Sequence, residues 1–128
     1  MSWQAYVDSN LCGTGQVSQA AIYGTNGAQW AASPGFQLSA PEVQEIISGY
    51  ANPADLPAKG IHINGVKYFV IKSDDRSIYG KKNADGVCIV KTTQAILVGL
   101  YKEGIQPGNC TKVVEGLADY LISVGYVS

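Results

Sequence analysis

Trp3, Tyr6, Val7 and Leu11 recur at i, i+3, i+4 and i+8, the repeat of one helical face. This spacing predicts a helix from Trp3 to about Leu11, with Ser2 as N-cap and Gly13 and Gly15 ending it. Short strands are predicted at Val17–Tyr23 and Ala28–Ala32, joined at Asn26-Gly27, a dipeptide that tolerates positive φ in a hairpin turn. Ser39-Ala40-Pro41-Glu42 reads as a capping box. It opens a short helix with Val43, Ile46, Ile47 and Tyr50 at helical spacing, ending near Gly49. Pro53 and Pro57 bracket at most a helical turn.

From Gly60 to Tyr101 the pattern becomes strand after strand. Ile61–Ile63 and Val66–Lys72 flank Asn64-Gly65; Ser77–Lys82 and Val87–Lys91 flank Asn83-Ala84-Asp85-Gly86; Ala95–Tyr101 follows. Such short connections permit only antiparallel neighbours, because a parallel crossover needs about a dozen residues or more. A last helix is predicted from Pro107-Gly108-Asn109 to about Gly125, with Val113, Val114, Leu117, Leu121 and Val124 as its buried stripe. Tyr120 falls at the edge of that stripe. The order α-β-β-α-β-β-β-β-β-α implies an α+β fold: an antiparallel sheet of six or seven strands with helices on its faces. No linker, repeat or low-complexity tract interrupts it, so residues 1–128 are read as one domain.

Composition narrows the class. Hydrophobic residues make up 46% and charged residues 15% of the 128 positions, the balance of a globular chain. No apolar run is long enough to span a membrane. No basic-then-apolar leader precedes the first helix, so a cytosolic protein is expected. The net charge of −1 gives no field for nucleic acid. Cys12, Cys88 and Cys110 are odd in number and far apart, which argues for free buried thiols over a metal cluster or disulfide framework. The single histidine, His62, alternates with Ile61 and Ile63 and is expected on the outer face of a strand.

Catalytic chemistry finds little support. One histidine without a paired nucleophile gives no triad. Asp74-Asp75 reads as a solvated turn pair, and Gly13-Thr14-Gly15 follows a helix instead of opening one, unlike a phosphate loop. No catalytic residue, cofactor or metal is expected. Aromatics are the stronger signal. Polyproline II helices present flat pyrrolidine rings and unpaired carbonyls. Trp and Tyr offer a ring face and a polar donor on one side chain. Trp3, Tyr6, Trp30, Tyr120 and Tyr126 are therefore candidates for an exposed aromatic patch built from both termini. A second constellation is Arg76, Lys81 and Lys82 with Lys91. Beside tight turns their side chains are expected to reach solvent, where they suit an acidic protein face or an anionic lipid. Lysines that deter edge pairing are the plainer reading.

The segments Ser2-Trp3-Gln4-Ala5-Tyr6-Val7-Asp8, Asp74 through Lys82, Gln106-Pro107-Gly108 and Val113-Val114-Glu115 through Leu117-Ala118-Asp119-Tyr120-Leu121-Ile122 resemble profilins, in particular the short amoeboid kind. The similarity spans essentially the whole chain. It implies a sheet with the terminal helices on one face and shorter helices on the other. It also implies a cytoplasmic, cytoskeletal protein that binds the barbed-end face of monomeric actin and regulates polymerisation. A separate groove would bind proline-rich segments such as those of formins. On the resemblance, Trp3, Tyr6, Trp30, Tyr120 and Tyr126 are proline-binding. Lys72, Arg76, Lys81, Lys91, Gln106, Gly108, Thr111, Lys112 and Glu115 are actin contacts. Arg76, Lys81 and Lys82 would meet polyphosphoinositides, and a mainly lipid-binding regulatory module is the alternative function. Gly116 stands where amoeboid members commonly carry lysine, and Val127-Ser128 extend the chain past Tyr126.

Overall fold

The computed structural model describes residues 3–92 and 94–123. Ser2, Val124, Gly125, Tyr126 and Val127-Ser128, on which several expectations fall, lie outside them. Seven strands form one antiparallel sheet in the order β2-β1-β7-β6-β5-β4-β3. They are β1 (Gln19–Gly24), β2 (Gln29–Ala32), β3 (Ile61–Ile63), β4 (Val66–Ser73), β5 (Ser77–Lys82), β6 (Asp85–Lys91) and β7 (Ala95–Tyr101). The helices are α1 (Trp3–Ala5), α2 (Ala40–Ala51), α3 (Leu56–Lys59) and α4 (Pro107–Ser123).

Two apolar clusters sandwich the sheet. On one face Tyr6, Val7 and Leu11 from the N-terminal segment and Cys110, Val114, Leu117, Ala118 and Leu121 from α4 pack on Ile22, Cys88, Val90 and Leu97. On the other, Val43, Ile46 and Tyr50 of α2 and Leu56 of α3 cover Ile61, Ile78, Ile89 and Val98. Terminal helices on one face and shorter helices on the other is the arrangement expected. The central strands are covered on both faces, which is why β6 and β7 read as nearly unbroken apolar runs. Gly99 lets α4 approach β7 closely: a Cβ there would lie 2.7 Å from the Val114 side chain.

Local chemistry sets the details. The Ser39–Glu42 capping box forms in both directions. Asn64 and Gly65 both take positive φ, 52° and 83°, as a two-residue hairpin between β3 and β4 requires. Four expectations need correction. The first helix is α-helical only to Ala5; Tyr6–Leu11 is π-helical, and the Cys12 N–H bonds the Val7 carbonyl five residues back. That wider turn brings Tyr6 and Leu11 onto one buried face. At the β1–β2 turn only Gly27 has positive φ, while the Asn26 side chain accepts the Ala28 N–H at 3.1 Å. The β5–β6 loop is two residues, because Asp85 and Gly86 already pair within the ladder. In α4 the stripe includes Cys110 and Ala118, whereas Val113 is half-buried.

Candidate functional site

The N-terminal segment, β2 and α4 bring four of the aromatic candidates into one row. Trp3 lies 4.8 Å from Trp30 between ring centroids. Tyr6 follows at 5.8 Å from Trp3, and Tyr120 at 6.4 Å from Tyr6 with its ring edge-on. Such separations are those of favourable tilted and edge-to-face pairs. Exposure is uneven. Tyr120 is 49% exposed, Trp3 and Trp30 are half-buried, and Tyr6 is only 2% exposed. The expectation of an exposed patch is thus corrected at Tyr6, which is buried and forms the floor of the row. A groove of about 440 Å³ continues from it, lined by Tyr6, Tyr120, Leu117, Val113, Gly116 and Lys112 among others. Gln4, which sequence reading passed over, fastens the row. Its amide donates to the Ala32 carbonyl at 2.9 Å and to Asp8 Oδ1 at 3.0 Å.

The basic candidates do not form one patch. Directly paired residues share a face of a sheet. Phe69, Lys81, Gly86 and Tyr101 are paired in turn, and Tyr101 belongs to the terminal-helix cluster. Lys72 pairs with Tyr79 on that same face, its Nζ 5.0 Å over the Tyr79 ring. Lys82 and Lys91 point to the α2 face, and the Lys91 Nζ sits 5.7 Å over Tyr50. Successive strand residues alternate faces, so Lys81 and Lys82 are separated by the sheet. The Arg76, Lys81, Lys82 grouping expected for phosphoinositides is therefore split.

Arg76 departs further from expectation. Its guanidinium pairs with Glu115 at 3.0 Å and Asp119 at 2.7 Å on α4 instead of reaching free solvent. The bond to Asp119 foremost holds it more basic than an ordinary arginine. Glu115 also accepts from the Ser77 hydroxyl at 2.9 Å and from the Tyr79 hydroxyl. Burial, and then this bond, push the Tyr79 pKa well up. Glu115 is thus consumed in joining α4 to β5. Gln106, Gly108 and Lys112 are exposed and Thr111 half-buried at the start of α4. Lys72 and Lys81 are exposed on the strands. Phe69 and Ile71 are each 65% exposed; Phe69 pairs with Lys81 and lies under the Lys67 Nζ at 5.9 Å, and Ile71 precedes Lys72 at the irregularity in β4.

Other chemistry is accounted for structurally. Asp74 Oδ1 accepts the N–H groups of Ser77 at 2.7 Å and Arg76 at 2.8 Å, so it ties its turn and is not merely solvated. His62 is exposed and pairs with Glu45 at 3.1 Å. The three cysteines are free. Burial pushes the Cys110 thiol up to about 12 and raises Cys12 and Cys88 as well, which suppresses the nucleophilic thiolate. Among the described residues no cluster suits a metal ion, and no helix is long and apolar enough to cross a membrane.

A single α+β sheet, flanked by terminal helices that carry an aromatic row, defines the architecture; comparison with known proteins fixes the family. The family model for profilin matches residues 1–126. Profilin-1A of Acanthamoeba castellanii is 52% identical over 126 residues, covering 98% of this chain and all of that one. The structure of Acanthamoeba castellanii profilin IB superposes with a TM-score of 0.94 at 52% identity, covering 97% of this chain and 99% of the other. Mouse profilin IIa, solved in complex with a double repeat from the FH1 domain of mDia1, gives a TM-score of 0.80 at 26% identity, covering 98% and 99%. The chain belongs to the profilin family.

Proposed function

We propose that this protein is a cytoplasmic two-site adaptor of the actin cytoskeleton and not an enzyme. One site binds the barbed-end face of monomeric actin and thereby regulates polymerisation. The other binds proline-rich segments in the polyproline II conformation, as in formins. The whole chain acts as one domain. The observation that carries the reading is the row Trp30–Trp3–Tyr6–Tyr120, with centroid steps of 4.8, 5.8 and 6.4 Å. Pyrrolidine rings stack against such a surface, and indole and phenol groups donate to the ligand carbonyls. Tyr126 completes the site in this reading.

For actin, the contacts are Lys72 and Lys81 on the strands, beside the exposed apolar pair Phe69 and Ile71, together with Gln106, Gly108, Thr111 and Lys112 at the start of α4. An apolar centre with a charged rim is the usual anatomy of a protein interface. Arg76 and Glu115 support this face from beneath through their mutual pair. Lys91 is set apart by its packing over Tyr50. Anionic lipid is the weaker reading, since Lys81 and Lys82 lie on opposite faces.

Titration of tryptophan fluorescence with decaproline tests the aromatic site. The wild type gives a saturable change, and Trp3→Ala abolishes it while leaving actin affinity intact. Equal loss of both activities in Trp3→Ala would refute two separate sites.

A further inference from the structure

We propose that the β1–β2 turn is a self-modification site: the Asn26 side chain closes onto the Gly27 nitrogen, loses ammonia and becomes aspartate or isoaspartate. The same dipeptide in the β3–β4 turn, Asn64-Gly65, is guarded against this reaction by Glu42.

The reaction needs a small residue after asparagine. The backbone nitrogen of that residue must reach the asparagine Cγ, and a side chain beside the nitrogen obstructs the approach. Of the six asparagines only Asn26 and Asn64 precede glycine. Both are exposed, so neither sequence nor solvent access separates them. Their hydrogen bonds do.

At Asn64 the attacking group is held by a charge. The Gly65 N–H donates to the buried Glu42 carboxylate at 2.6 Å. Taking the proton from that nitrogen would set an amide anion against a carboxylate, which like-charge repulsion opposes. At Asn26 the bonds favour attack. The Gly27 N–H meets only the neutral Gly24 carbonyl, at 2.9 Å. Asn26 Oδ1 accepts the Ala28 N–H at 3.1 Å, which folds the side chain back along the Gly27 peptide. That bond draws electrons from Cγ and stabilises the negative charge that develops on Oδ1 during attack, the part an oxyanion donor plays.

The steps balance without an oxidant or a cofactor. Hydroxide removes the Gly27 proton, and the nitrogen forms a bond to Asn26 Cγ. The bond from Cγ to the side-chain nitrogen breaks, and that nitrogen takes a proton from water and leaves as ammonia. Water then opens the succinimide ring at one carbonyl to give aspartate or at the other to give isoaspartate. One water is consumed and one ammonia released.

The product changes the aromatic row. A Cβ placed on Gly24 would stand 2.8 Å from Asn26 Oδ1 and 3.0 Å from Trp30 Cζ2, so the new carboxylate forms beside the Trp30 indole. Isoaspartate also adds a methylene to the backbone that leads into β2. Both loosen the seating of Trp30 on Trp3.

The test is incubation of the full chain at physiological temperature and pH, with peptide mapping by mass spectrometry at intervals. Enzymatic methylation of the free isoaspartyl carboxyl separates isoaspartate from aspartate. Asn26 should convert about tenfold faster than Asn64, the rate equivalent of one hydrogen bond to a charged group. Its rate should rise in proportion to hydroxide concentration. Glu42→Gln should speed conversion at Asn64 and leave the rate at Asn26 unchanged. The near-ultraviolet dichroism of the coupled indoles should fall as Asn26 converts. Asn26→Ser, whose hydroxyl also accepts the Ala28 N–H, should abolish both the conversion and the fall. Equal rates at Asn26 and Asn64 in the wild type would mean that both react from the unfolded chain, and would refute the site. So would an Asn26 that persists while an unstructured Thr-Asn-Gly-Ala peptide converts. An Asn64 no faster in Glu42→Gln would refute the guard, and unaltered dichroism after full conversion would refute the link to Trp30.

Discussion

The side-chain amide of Gln4 engages both backbone groups of Ala32, donating to its carbonyl at 2.9 Å and accepting its N–H at 3.4 Å. A primary amide presents the same donor and acceptor as a peptide unit. Gln4 therefore occupies the free edge of β2 much as one residue of a neighbouring strand would. Its neighbour Trp3 is thereby held against Trp30, two residues before Ala32. Gln4→Ala should weaken decaproline binding several-fold and destabilise the fold by about 1 kcal/mol. Loss of the near-ultraviolet circular dichroism of the coupled indoles should accompany it. Gln4→Glu should behave similarly at neutral pH, because a carboxylate cannot donate to the Ala32 carbonyl, and should recover when acidified enough to protonate. Unaltered indole dichroism in Gln4→Ala would show that Trp3 is positioned by packing alone.

Phe69 and Lys81 are directly paired across β4 and β5 on the terminal-helix face. An exposed aromatic inside a charged rim is a typical energetic centre of an interface. Phe69→Ala should weaken binding to monomeric actin by about 2 kcal/mol. Lys81→Glu should act more through the association rate and grow at low salt. Decaproline binding should be unchanged in both, as Phe69 and Lys81 take no part in the aromatic row. Sequestration of labelled actin measures the first effect and stopped-flow mixing the second. Full actin affinity in Phe69→Ala would move the apolar centre of the site elsewhere.

The parts of this molecule legible in the sequence are those encoded by near neighbours. The Ser39–Glu42 box spans one helical turn, Asn64-Gly65 spans one hairpin, and β7 runs over Ala95–Tyr101 as expected. The aromatic row was legible in part because Trp3 and Tyr6 stand on one helical face at one end of the chain and Tyr120 at the edge of the last helix's stripe. Relations between distant residues were not. Arg76 meets Asp119 across 43 positions, and Gln4 meets Ala32 across 28; neither bond leaves a local pattern. The π-turn escaped because Val7 and Tyr6, four and five residues before Leu11, are both apolar, so α and π geometries fit one hydrophobic pattern. The split of Lys81 from Lys82 was readable. Strand alternation alone separates them, once charge is assigned to faces and not to segments.

Glu42 ties two elements together, accepting the Ser39 N–H at 2.9 Å and also the Gly65 N–H from the β3–β4 turn. Burial raises its pKa, but the bonds from Gly65, Ser39 and Asn64 together outweigh that and leave it below the ordinary 4.5. Because the folded value is depressed, the carboxylate contributes stability above pH 4.5. That contribution is lost as pH falls through the lower folded value. Glu42→Gln should lower stability at pH 7 by about 1 kcal/mol and flatten the acid limb of the stability curve. Urea unfolding at a series of pH values measures both. An acid limb as steep as in the wild type would assign acid sensitivity to other carboxylates, with Asp74 next in line through its Ser77 and Arg76 amide bonds.

Tyr50 supplies the opposite kind of case, a polar group that the core would do better without. Its ring packs beneath α2 at 7% exposure, and its hydroxyl has no hydrogen-bond partner among the described residues. Burial accordingly drives its pKa far above that of a free tyrosine. The ring itself is well used, filling the α2-side cluster and receiving the Lys91 ammonium 5.7 Å from its centroid. Tyr50→Phe keeps the ring and removes the unpaired oxygen. It should stabilise the protein by about 1 kcal/mol and raise the melting midpoint by about 3–5 °C. Tyr50→Leu, which loses the ring as well, should destabilise. A lower midpoint in Tyr50→Phe would mean that the hydroxyl is satisfied by a buried water, and that removing it breaks a bond instead of relieving a penalty.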